Sequence, residues 1–267
     1  MDGDQFRKVG RGMQFATLVD RPELAARIND FPAGVAEFLY HDPVSAAMYD
    51  DVVAAYPEFT IVAVDPADPD VPVAKMCTLP FSWAADPART LPPGGYDHVV
   101  LSAAGNRLVG RRGNLVSAVE AMVQPAMRGR GISKMMLAEV CRNTVRLGYD
   151  ALVAPVRPNR KHEHPDLPMA SYLALRRDDG LPVDPWLRVH LAAGARVVGV
   201  APRSMIITGT LAEWRSWTGL PFDLPGPVLV PEALVPVHCD PANDVATYVE
   251  PNVWVHHSLQ HLERTSP

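Results

Sequence analysis

Apolar residues change their spacing several times along this chain, and each change predicts an element. Between residues 22 and 56 they recur at helical intervals, with Leu24, Ile28 and Phe31 on one face and Asp20 as the candidate N-cap. A second helix is predicted from about residue 36 through Tyr49 to residue 55, broken or kinked at Pro43. Residues 60–65 and 73–83 alternate as two strands of a hairpin, joined by the Pro- and Asp-rich turn at 65–70. Residues 96–108 fit a helix and Gly110 to Gly113 a loop. Residues 115–123 are apolar on both faces except at Ser117 and Glu120, the mark of a strand inside a sheet. An amphipathic helix follows over 132–147, with Ile132, Met135, Met136, Val140, Thr144 and Leu147 on one face and Gly148 as its stop. Further strands are predicted at 150–156, 195–200 and 204–208, and short helices at 169–177 and 186–193. Beyond Gly209 the pattern thins into a Pro-rich segment with brief strand-like runs at 228–230 and 248–249.

Composition narrows the class. The chain has 267 residues, 48% hydrophobic and 21% charged, enough apolar material for a real core. A formal net charge of -5 argues against a nucleic-acid partner bound through a basic surface. No apolar run approaches the roughly 18 residues that cross a bilayer, and the acidic, polar start does not read as a signal peptide. Three cysteines, Cys77, Cys141 and Cys239, show neither a disulfide framework nor metal-site spacing, which favours a reduced, cytoplasmic setting. The 27 prolines are about twice the usual share. They fall more densely after residue 150 among interleaved apolar residues, which predicts long ordered loops. No Ser/Gly linker divides the chain, so residues 1–267 read as one domain.

The most informative segment runs from Val123 to Ser133, Val-Gln-Pro-Ala-Met-Arg-Gly-Arg-Gly-Ile-Ser, between the central strand and the amphipathic helix. A strand, a tight Arg/Gly turn and a helix start together make a phosphate cradle. The glycines let backbone N–H groups approach the anion, the helix's first turn points further N–H groups at it, and the arginines add charge. The turn is neither a Walker loop nor Gly-x-Gly-x-x-Gly.

These residues resemble the GNAT superfamily of acyl-CoA N-acyltransferases, whose signature is Gln/Arg-x-x-Gly-x-Gly/Ala between a strand and a helix. Arg128-Gly-Arg-Gly131-Ile-Ser133 matches it, with Ser133 in place of the final Gly or Ala. The Val-x-Pro approach at Val123, Asn159 after the next strand, and the helix end His190-Leu-Ala-Ala-Gly194 extend the likeness over residues of about 10–210. The resemblance implies an α/β fold with a central mixed, mostly antiparallel sheet flanked by helices. To this are added an insertion at 160–185 and a C-terminal extension from 210 to 267 packed on the core. It also implies acetyl-CoA or another acyl-CoA as co-substrate, with no metal. Ala121, Met122 and Val123 would hold the pantetheine arm. Arg128, Gly129, Arg130, Gly131, Ile132 and Ser133 would hold the pyrophosphate, with Asn159 nearby.

The implied reaction is direct transfer of a short acyl group to the amine of a small molecule. Glu120, the carboxylate of the central strand, is the candidate base, although alternation puts it opposite Ser117 unless a bulge intervenes. His190 stands where the family often has a Tyr acid, four residues before the helix-ending Gly. Tyr172, in the insertion, is a candidate substrate contact or alternative acid. Competing readings are transfer to a carrier-protein thiol or hydroxyl, and a non-catalytic acyl-CoA-binding protein. A homodimer that shares the acceptor cleft is also open. His162, His164, His256, His257 and His261 read as surface residues, and Arg107, Arg111 and Arg112 as solvated or meeting an adenosine phosphate.

Overall fold

A computed structural model describes residues 12–32, 34–260 and 262. Among these residues nine strands form one sheet: β1 (Gln14–Thr17), β2 (Thr60–Asp65), β3 (Asp68–Phe81), β4 (Leu115–Val123), β5 (Ala151–Val156), β6 (Arg196–Gly209), β7 (Gly226–Val228), β8 (Val237–Asp240) and β9 (Val245–Ser258). Their order is β1-β2-β3-β4-β5-β9-β8-β7, with β6 on the other edge of β9. Every pairing is antiparallel except β4 with β5.

Helices α1 (Pro43–Ala54) and α2 (Gly95–Leu108) cover one face, where Val52, Val53, Val99 and Val100 pack on Cys77, Leu79, Phe81, Val153 and Trp254. Helix α3 (Ile132–Arg146) covers the other through Ile132, Met136, Leu137 and Val140 on Ile61, Ala74, Met76 and Leu152. Short helices α4 (Met169–Ala174) and α5 (Pro185–Ala192) lie on this second face over Ala154, Val156 and Val255. Helix α6 (Leu211–Thr218) belongs to a further cluster around Trp214 and Tyr248.

Local chemistry explains where the pattern misleads. Residues Pro22–Arg27 form only a 3-10 turn, and Asp20 accepts from the Thr17 hydroxyl (2.7 Å) instead of capping it. Pro43 starts α1 rather than kinking it: its missing N–H falls where none is needed, and Asp42 caps by accepting from Ser45 N at 2.8 Å. The two strands predicted between 195 and 208 are one, β6, with a register shift between Ala201 and Met205 around Pro202. The largest departure is the C-terminal segment. It does not simply pack on a finished core, because β9 is hydrogen-bonded between β5 and β6 inside the sheet. Its carboxylate Glu250, wholly buried, pairs with Arg157 at 2.9 Å and accepts from Tyr248 and Asn252. Buried Lys161 ties the insertion to the same segment, donating to the carbonyls of His164 (2.7 Å) and Leu234 (2.6 Å). No helix among the described residues is long and apolar enough to cross a membrane.

Candidate active site

Strand β4 organises the site because its two edges end differently. Toward β3 it is paired along its whole length, from Leu115 with Phe81 to Val123 with Ala74. Toward β5 it is paired only at Val116–Leu152 and Ser117–Val153. Beyond Ser117 the parallel strands part, so the β4 edge from Ala118 to Val123 turns backbone N–H and C=O groups toward an open slot. Such groups need partners, and an extended amide-bearing chain can supply them. Ala121 is exposed there, and Met122 and Val123 are half-buried.

The Arg/Gly turn lies at the end of that edge. Gly129 and Gly131 both have φ of +76°, a left-handed conformation that favours glycine. No atom comes within 4 Å of where a Cβ would stand at either position. Gly131 is the N-cap of α3 and brings no side-chain cap, so the helix's first N–H groups stay available to an anion. Ser133 does not cap the helix. Arg128 reaches back to the Val123 carbonyl at 3.4 Å. Asn159 is exposed in the turn after β5, on the far strand of the slot.

The bulge that Glu120 requires is present. Between Cys77–Glu120 and Thr78–Ala118 the register slips by one residue at Val119. Glu120 thereby joins Ser117 on the α1/α2 face. Its Oε2 accepts from the Tyr49 hydroxyl at 2.7 Å and lies 2.9 Å from the Lys75 ammonium and 3.6 Å from the Cys77 thiol. Burial, reinforced by the neighbouring Cys77 and Glu120, holds the Tyr49 hydroxyl well above its ordinary pKa, so it remains a donor. Burial pushes the Cys77 thiol up to about 12, which keeps it protonated. These groups border a cavity of about 470 Å³ whose other walls include Leu18, Ile28, Asp50 and Val53. That size suits a small molecule. The sequence pattern does not reveal Tyr49, Lys75 or Asp50 as site residues. The readable hint was Lys75, a lone charge inside the apolar run from Val73 to Leu79.

Two expected residues stand elsewhere. His190 is buried (3% exposed) on the α3/α5 face, opposite Glu120, with its Nδ1 3.0 Å from Nε2 of His257. Burial, with a smaller contribution from His257, pushes it down to about 3. At neutral pH it has no imidazolium proton to give, which removes the basis for reading it as the acid. Tyr172 is only 1% exposed, and its hydroxyl donates to Asp184, the residue that caps α5 through Trp186 N and Leu187 N. It therefore anchors the insertion instead of meeting substrate. His256 and His257 are buried rather than surface residues, and His261 lies outside the described residues. No group of three or more potential metal ligands converges among the described residues.

The histidine pair makes stability depend on pH. His257 is pushed down to about 4, mainly by burial, so both rings are neutral in the fold. The unfolded chain takes up these protons near pH 6.5, before the native state does. Stability should therefore fall as pH drops below about 6.5, at up to about 1.4 kcal/mol per pH unit for each ring. Urea unfolding between pH 8 and 4.5 checks this. The slope should flatten in a His190→Gln, His257→Gln double variant, and an unchanged slope would contradict the assignment.

The sequence matches no protein-family profile. It is 37% identical over 193 residues to arginine N-acetyltransferase avaD of Aspergillus versicolor, across 65% of this chain and 67% of that protein. Among solved structures, the loading GNATL domain of CurA from Lyngbya majuscula aligns with a TM-score of 0.52 and 14% identity, over 93% of this chain and 98% of that one. With the parted strands, the glycine turn and the helix that it opens, these likenesses give the assignment: the chain belongs to the GNAT superfamily of acyl-CoA N-acyltransferases.

Proposed function

We propose that the protein moves an acetyl or other short acyl group from acyl-CoA directly to the amine of a small cationic acceptor of the arginine type. The observation that carries this reading is the end of β4–β5 pairing after Ser117 and Val153, beside the uncapped start of α3. The backbone edge at Ala121, Met122 and Val123 would take the pantetheine amides. The turn from Arg128 through Gly129, Arg130, Gly131 and Ile132 to Ser133 would hold the pyrophosphate, with Asn159 on the opposite rim.

The acceptor would enter the cavity at Glu120. As its nitrogen attacks the thioester carbonyl, Glu120 accepts the amine proton, the C–S bond breaks, and the departing thiolate takes a proton from a water that regains one from Glu120, returning the carboxylate. The avaD relative is an arginine N-acetyltransferase, and the cavity's charges suit such an acceptor. Asp50, exposed on α1, offers a carboxylate for a guanidinium, and Lys75 beside Glu120 offers an ammonium for a carboxylate.

Thiol release from acetyl-CoA in the presence of arginine tests the reading, with Asp50→Asn as the probe of recognition. Losing one charge-assisted contact, worth about 1.5–3 kcal/mol, should raise KM for arginine about 10- to 100-fold and leave kcat within a few-fold. Binding of acetyl-CoA with no release to any amine would favour a non-catalytic acyl-CoA-binding protein instead.

A further inference from the structure

A second cleft, of about 450 Å³, lies at the other end of the sheet, between the C-terminal ends of α2 and α3 and the Gly110–Gly113 loop. Helix α3 has fifteen residues and is therefore about 22 Å long. It separates this cleft from the Arg128–Ser133 turn at its other end. Arg107, Arg111 and Arg112 are accordingly far from any ligand phosphate held at that turn.

These three arginines, supplied by six consecutive residues, line the cleft together with the rings of Tyr56, Phe59 and Tyr149. Only one carboxylate, Glu58, lies among the lining residues. Among the described residues, the protein contacts of the arginines are with neutral groups. Arg107 donates to the Asp51 carbonyl at 3.4 Å; Arg112 donates to the Leu147 carbonyl and the Tyr149 hydroxyl (3.2 Å), stacking 4.8 Å over that ring. Arg112 thus caps α3, a task for one charge. Arg111 has no side-chain partner among the described residues.

A second, independent observation comes from Asn106. It lines the cleft, is only 4% exposed, and has an Nδ2 with no hydrogen-bond partner, while its Oδ1 accepts from Ser82 at 3.1 Å. Leaving a buried donor unpaired costs about 1–3 kcal/mol, which an acceptor in the cleft would recover. The loop is also held in place. Arg111 N donates to the Asn106 carbonyl at 2.8 Å, and a Cβ at Gly113 would stand 2.5 Å from Phe81 N, so the loop packs directly on β3.

We propose that this cleft is a second binding site, for a small molecule that carries a multivalent oxyanion, a phosphate ester or a polycarboxylate. The guanidinium forks supply paired donors, Asn106 adds one more, and the aromatic floor accepts the ligand's apolar part. The site stands independently of the acyl-transfer reading, because it shares no residue with the turn or the acceptor cavity.

Calorimetric titration with pyrophosphate and, separately, citrate tests it. The Gly131→Val protein is used so that the turn at α3 does not contribute, with Arg107→Gln, Arg111→Gln added in a second sample. One saturable site is expected for at least one probe, weakened tenfold or more by the paired arginine changes. Pyrophosphate alone would identify a phosphate ligand, citrate alone a carboxylate ligand, and both a general oxyanion site. No saturable binding of either probe, or binding that the arginine changes leave intact, would overturn the proposal. The arginines are exposed, so their replacement should leave the fold standing, which the unfolding temperature of each variant verifies.

Discussion

Glu120→Gln should lower kcat for acyl transfer by about 10²- to 10⁴-fold, the usual contribution of a positioned general base, while KM for acetyl-CoA changes less than twofold. The replacement keeps shape and keeps an oxygen that can accept from Tyr49, but it cannot take the proton of the attacking amine. It also leaves the Lys75 ammonium, only 4% exposed, without its anion. A drop in stability is therefore expected as well, because a buried ammonium left without its anion is costly. The two effects separate in a Lys75→Met, Glu120→Gln double variant, which should regain stability without regaining turnover. If Glu120→Gln kept wild-type kcat at every pH, the base assignment would fail. If the double variant restored both properties, Glu120 would be a structural partner of Lys75 and nothing more.

The strand and the glycine turn of the candidate site were legible because their signals are local. Strand β4 and the start of α3 fall where the pattern placed them, since the run from Leu115 to Val123 is bounded by Asn114 and by Pro125, and the turn needs glycine at 129 and 131. The bulge at Val119 was legible only as a condition. Register depends on β3, and nothing within β4 states it.

What stayed hidden depends on partners distant in sequence. Strand β9 reads poorly because Glu250, Pro251, Asn252, His256 and His257 interrupt its apolar pattern. Arg157 and Tyr248 satisfy Glu250, and His190 pairs with Nε2 of His257, so these two polar residues are buried without breaking the strand. The same cause misleads at His190, whose position before Gly194 follows the resemblance while its environment follows His257. Helix α6 is a different case. Its capping box, Thr210 with Glu213, and its left-handed Gly219 are readable signals that a scan for apolar periodicity passes over. Tyr49 and Asp50 lie on a helix that the pattern did find, and only the packing of α1 on the sheet shows that both line the cavity and that Tyr49 meets Glu120.

Gly131→Val tests most directly the proposed placement of acyl-CoA along the β4 edge with its pyrophosphate on the glycine turn. Gly131 holds φ of +76°, which a β-branched residue rarely adopts. The added side chain would project into space that is otherwise open to the ligand. Both effects pull N–H groups away from the anion, yet Ile132, Met136 and Val140 still anchor α3 on the sheet. Calorimetric titration of acetyl-CoA into both proteins, with helix content followed by circular dichroism, is the measurement. The prediction is saturable binding to the wild type and at least tenfold weaker binding, about 1.4 kcal/mol, to a variant of unchanged helix content. Equal affinity for the two proteins, or no binding to the wild type, would contradict it.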